Sequence, residues 1–230
     1  MYPMMFDPLY IALVIPAMLL ALYAQMKVKT TFARYSAVRS SRGLGADSVS
    51  RMLLDGFGLQ SVRVERVGGN LTDHYDPRSK TLRLSDSVGG SSSIAAIGVA
   101  AHEVGHAVQD RDGYAPLRLR NALVPIATIG SNSAYMFFFL GLILRLSALV
   151  NLGILLFTCA VVFQVVTLPV EFDASNRALR VLSGTGALTP AELSGAKSVL
   201  SAAALTYVAA TVMAAAQLLY FLVRSRGRRN

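Results

Sequence analysis

Residues 91–109, SSSIAAIGVAAHEVGHAVQ, decide how the rest of the chain is read. The serines at 91–93 are good helix caps, and the run that follows predicts a helix over 94–109. On such a helix His102 and His106 stack on one face. Two imidazoles at that spacing can grip one zinc ion, and Glu103 is placed to take a proton from water that the ion activates. Glu103 is the one charge between or beside the histidines, so the helix can pack into a dry wall that strengthens metal–ligand electrostatics. The chain has three histidines in all, and two are here. The apolar part of this helix is too short to cross a bilayer, and it ends in Asp110-Arg111-Asp112-Gly113. The stretch therefore belongs to a lobe at the membrane surface and not to the bilayer midplane.

That a membrane is involved follows from composition. Over 230 residues, 53% are hydrophobic and the mean hydropathy is +0.49, too apolar for an ordinary soluble domain. Four stretches are long enough to span, at about 8–24, 122–144, 148–168 and 202–223. Arg145-Leu146-Ser147 separates the middle two, which form a tight hairpin. The first starts after Asp7 without a basic leader, so it reads as a retained anchor with Pro16 as a mild kink. Ser131, Asn132, Ser133, Asn151 and Gln164 inside the spans suit helix–helix hydrogen bonds. The single Cys159 rules out an internal disulfide and suits apolar packing. The net charge of +9 concentrates beside the spans, at Lys27, Lys29, Arg34, Arg39 and Arg42, and at Arg224, Arg226, Arg228 and Arg229. Such clusters serve topology and anionic-lipid contact; without interleaved aromatics they argue against nucleic acid as a partner.

The expected architecture is a mainly α membrane protein, with about four transmembrane helices and a small α+β lobe at the membrane surface. Residues 1–25 form the first span, 26–121 the lobe, 122–169 the hairpin, 170–201 a returning helical segment, and 202–230 the last span with its basic tail. Within the lobe, 25–45 is a basic segment leaving the membrane. Residues 46–57 form an amphipathic helix with Val49, Met52, Leu53 and Phe57 on one face. Leu54-Asp55-Gly56 is read there as a helix end, because it lies upstream of the histidines and outside any span. Residues 61–67, 71–75 and 80–85 are strand-like, with a turn at 76–79, and predict a small antiparallel sheet. A strand just before a zinc helix can line the cleft and pair with an extended peptide. Pro169 ends the third apolar run, a new helix follows it, and a short helix from Thr189-Pro190 leads into the last span.

A catalytic zinc site commonly takes three protein ligands. The chain crosses the membrane twice between His106 and residue 171, so the third ligand can come from Glu171, Asp173 or Glu192, from earlier acids, or from His74. Glu171 is favoured, because a helix leaving the membrane can hold it rigidly. Asp173 faces about half a turn away and suits a contact behind the ligands. His74, Arg177 and Tyr114 are candidates for steadying an oxyanion or touching substrate.

Four blocks in this order, LYAQMKVKTTFARYS, LTDHYDPRSKTLRLS, SSSIAAIGVAAHEVGHAVQ and LPVEFDAS, give the chain a resemblance along almost its whole length. It resembles the bacterial membrane family of neutral zinc metallopeptidases (YugP-like), which is distantly similar to the CAAX prenyl protease and HtpX types. In those relatives a carboxylate on a helix after a transmembrane hairpin completes the site, so the resemblance implies Glu171 as third ligand. They read ExxxD where this chain has Ser175 four residues after Glu171, so the aspartate that orients a ligating histidine there is missing.

Together these features imply a Zn2+-dependent endopeptidase acting on peptides or membrane proteins in a bacterial cell membrane, with Glu103 as general base. The rival from another class is a membrane scaffold or regulator with a structural or vestigial zinc site. Structural sites are normally closed by four protein ligands, and no cysteine accompanies these histidines. The basic residues flanking the first three spans put the zinc lobe on the cytoplasmic side.

Overall fold

The computed structural model describes residues 7–226; Arg228 and Arg229 of the basic tail lie outside the described residues. In chain order the elements are α1 (Pro8–Ser36), α2 (Ala46–Gly56), β1 (Arg63–Val67), β2 (His74–Asp76), β3 (Thr81–Ser85), α3 (Ile94–Arg111), α4 (Ala115–Leu144), α5 (Ser147–Thr185) and α6 (Pro190–Arg226). α1, α4, α5 and α6 are long and apolar enough to cross a bilayer, so the chain is a mainly α membrane protein with a small α+β lobe. The four helices outrun the expected spans. α1 continues into the basic segment, to Ser36, instead of ending near residue 24. α5 runs unbroken through Pro169, where a new helix was expected, and α6 absorbs the short helix expected before the last span. Proline removes one backbone donor, and membrane helices tolerate that loss.

The chain forms two compact units. Among the described residues one comprises 7–25, 118–169 and 205–226, the other 26–117 and 170–204. In the first, the α4–α5 hairpin packs closely because its contact positions are small. A Cβ on Gly153 would lie 2.6 Å from the Phe138 backbone nitrogen, and one on Gly141 2.6 Å from that of Val150. Such small-residue contacts supply the van der Waals packing that holds helices together in lipid. Phe138 and Phe221 stack at 3.9 Å between ring centroids at the core of this unit.

In the second unit α3 is the central element. Its residues are buried on nearly every side, as a helix apolar all round must be. Ser93 is the residue of the serine run that caps it, accepting from Ala96 N–H at 3.2 Å. The preceding loop is pinned by Ser40 N–H to the Ser92 carbonyl at 2.8 Å and Ala46 N–H to the Ser91 carbonyl at 2.9 Å. α2 buries Val49, Leu53 and Leu54 completely, and the sheet adds Leu82 and Leu84. Each such side chain contributes about 1.5–3 kcal/mol. Leu54, passed over as part of a helix end, is thus a core residue, although α2 does end at Gly56.

The sheet corrects the antiparallel expectation. Its order is β1-β3-β2, with β2 antiparallel to β3 but β1 parallel to it, Arg63 opposite Thr81 and Val67 opposite Ser85. The loop after β1 carries the chain past β3's position to the far edge, so β3 returns between its neighbours in β1's direction. The strand just before α3 is therefore central, and the edge facing α3 belongs to β2, whose Tyr75 N–H donates to Glu103 at 3.0 Å. β2 starts later than expected, at His74, because Leu71 stands at φ 54, off the strand conformation; at its other end Asp76 closes the turn by accepting from Arg78 N–H at 2.9 Å and from the Ser79 hydroxyl at 2.7 Å. Those two bonds, with Arg83, hold the Asp76 carboxyl down at about 2. A carboxyl whose pKa is lowered by folding adds stability above its unfolded pKa and loses it as pH falls through the folded value. Asp76→Asn should therefore lower the thermal midpoint at pH 7, and the difference from the parent should close as the pH is taken down toward 2.

Candidate metal centre

Two rows on α5 explain how a carboxylate reaches the histidines. Val170, Ala174, Ala178 and Leu182 recur every four residues and are buried, forming the stripe that enters the core of the second unit. The adjacent row holds Glu171 and Ser175, 2% and 9% exposed. α3 answers with Gly105, where a Cβ would collide with the Ala174 carbonyl. The glycine inside HEVGH is thus what lets the two backbones touch.

At this contact the Glu171 carboxyl lies 3.2 Å from His102 Nε2 and 3.8 Å from His106 Nε2. One ligand atom from each of the three residues lies within 4.8 Å of the others. Such a trio fits a bound cation. A buried carboxylate facing two ring nitrogens is costly by itself, and a dication among them offsets that cost.

The rings are held from behind. Gln109 donates its amide to the Val170 carbonyl at 2.8 Å and to Asp173 at 2.8 Å. Its amide oxygen must then accept from His106 Nδ1, 2.9 Å away. With the proton on Nδ1, Nε2 keeps its lone pair for a metal. His102 Nδ1 lies 3.0 Å from the Ser175 hydroxyl, so the residue that departs from ExxxD nevertheless touches a histidine. Asp173 does not join the trio: it receives Gln109 and Arg177, the latter at 2.6 Å. Arg177 also binds Asp112 and lies over the Tyr114 ring at 5.7 Å. Glu192 is far along the chain's other contacts, accepting from Thr189 and Ser41 backbone N–H.

Glu103 accepts from the Tyr75 backbone N–H at 3.0 Å. Desolvation by the packing around its carboxyl outweighs this bond and, without a metal, pushes its pKa up to about 7. The Tyr75 hydroxyl donates to Asp110 at 2.7 Å, which Lys80 also engages at 2.6 Å. This triad ties edge strand β2 to the end of α3. Burial and the Asp110 carboxylate push the Tyr75 phenol well above its ordinary value. Side chains alternate along a strand, so His74 is turned to the other face. It is exposed there, with Nδ1 donating to the Thr72 carbonyl at 2.9 Å. Gln109 and Tyr75 were missed by the sequence reading, and Ser175 was noted there only as the residue replacing an aspartate. Gln109 was within reach of it, three residues after His106 on the same helical face, whereas Tyr75 meets the site only through folding.

The profile of the family described as "Putative neutral zinc metallopeptidase" matches residues 10–226. The chain belongs to this family. It is 46% identical over 215 residues to the "Putative membrane protease YugP" of Bacillus subtilis (strain 168), an alignment covering 94% of this chain and 96% of that protein. No solved structure matches the chain. The resemblance read from the four sequence blocks is therefore borne out, and family membership implies zinc as the metal.

The Gly105 contact is open to a direct check. Gly105→Val should destabilise by about 1–3 kcal/mol through overpacking and loosen zinc, read as a lower thermal midpoint and a lower metal content after dialysis against chelator. Gly98→Ala, whose new Cβ would meet Ala196 at an ordinary 3.5 Å, should change neither.

Proposed function

We propose that the protein is a membrane-embedded zinc endopeptidase in which His102, His106 and Glu171 hold the ion and Glu103 is the general base. The observation that carries this reading is the convergence of the three ligand atoms within 4.8 Å, with Glu103 adjacent on the same helix. Zinc supplies there a Lewis acid for the peptide carbonyl and acidifies water. Glu103 takes the proton of the attacking water on its carboxylate and passes it to the leaving amine nitrogen as the C–N bond breaks. Tyr75 N–H keeps that carboxylate aimed, and the Tyr75–Asp110–Lys80 triad keeps Tyr75 in place. Gln109 and Ser175 orient the two rings, with Asp173 behind Gln109.

Of the three candidates for the oxyanion, Arg177 is committed to Asp112 and Asp173 and Tyr114 lies beneath it, while His74 lies on the face of β2 opposite Tyr75. The basic residues after the first span support a cytoplasmic zinc lobe; reporter fusions at either end of the chain test that orientation, and an external signal from a lobe fusion reverses it.

Glu103→Gln should keep one zinc per chain while peptide cleavage falls by at least about 100-fold. Glu171→Ala should lose the zinc. Cleavage at the parental rate by a clean Glu103→Gln preparation overturns the mechanism.

A further inference from the structure

In the first unit, the α4–α5 turn and the last turn of α6 border an open-sided cavity of about 760 Å³, within the range of small-molecule sites. Its mouth carries Arg145, Ser147, Ser225 and Arg226. Among the described residues no acidic group pairs with Arg145 or Arg226. The acid at this end, Asp7, accepts instead from the Tyr220 hydroxyl at 3.3 Å and faces Arg224 at 4.0 Å. The mouth therefore carries two uncompensated guanidinium groups.

Inward the lining is mostly apolar, with Leu142, Val150, Ile154, Leu155 and Leu222, interrupted by Asn151. Thr158 lies at the far end, but its hydroxyl is spent on the Ile154 carbonyl of its own helix at 2.8 Å. From Ser147 to Thr158 the helical rise gives a depth of about 16 Å. α5 begins at Ser147, and Leu146 before it offers no side-chain acceptor for the first amides, so the dipole adds positive potential at the same mouth.

A cationic mouth over an apolar shaft matches an amphiphile with an anionic head. We propose that this cavity binds an anionic glycerophospholipid, with Arg145 and Arg226 on the phosphate and an acyl chain along Ile154 and Leu155. Guanidinium forks suit phosphate oxygens, and with no acid at the mouth a headgroup bearing its own ammonium is disfavoured. The site is separate from the metal centre and involves none of its residues.

The test uses the full chain in detergent, titrated with phosphatidylglycerol, phosphatidylcholine or inorganic phosphate, with bound copies counted by native mass spectrometry. The parent should retain one phosphatidylglycerol in preference to phosphatidylcholine. Arg145→Gln with Arg226→Gln should weaken that binding by about 25-fold, the product of about fivefold per cation. Arg224→Gln, whose partner is Asp7, should weaken it far less. If the double variant fails to fold, Arg226→Gln alone, at the exposed end of α6, should still show about a fivefold loss. Equal retention of both lipids, phosphate competing as well as the lipid does, or an unchanged affinity in the arginine variants overturns the proposal.

Discussion

The close approach of α3 and α5 at Gly105 and Ala174 is the constraint on which the metal centre rests. Two histidines on one helix turn can present their rings but cannot complete a coordination sphere. The missing carboxylate must come from a second backbone held at contact distance. Gly105 gives up a side chain to allow that distance, and the buried row from Val170 to Leu182 supplies the apolar surface that maintains it. Glu171 and Ser175 then reach the rings because they occupy the neighbouring row of the same helix.

Around that contact the polar groups form a connected set. Gln109 links His106 to Asp173, and Asp173 links onward through Arg177 to Asp112 near the end of α3. On the other side Tyr75 holds Glu103 and is itself held by Asp110 and Lys80. Buried polar groups of this kind are costly unless each finds a partner, and when satisfied they favour one arrangement over its neighbours. The same hydrogen bonds that stabilise the lobe therefore also orient the groups that membership of a zinc metallopeptidase family leads one to expect. Asp173 has its place in this set through Gln109, without approaching the three ligand atoms.

Much of this was legible in the chain. Apolar runs of membrane-spanning length marked the four long helices, because in lipid each backbone must satisfy itself locally and composition reports that directly. HEVGH placed two histidines on one helical face, because the 3.6-residue period is a local property. Helix ends were less legible. α5 passes through Pro169 and α6 absorbs a segment read as separate, since the local cost of a proline or a polar turn is overridden by packing along the rest of the helix. The sheet was half legible: a hairpin turn at Asp76 is written in sequence, whereas the parallel pairing of β1 with β3 depends on which side of β3 the earlier strand takes.

What the sequence determined alone was local: the spans, the histidine pair on one face with Glu103 between them, and the family blocks. What the tertiary structure decided was every relation between segments distant along the chain. It brought Glu171 to the rings, gave Ser175 to His102, Gln109 to His106 and the Tyr75 amide to Glu103, and turned His74 away from α3. Helical period and hydropathy act over a few residues, but a ligand set drawn from positions 102 and 171 exists only once packing has chosen which backbones touch.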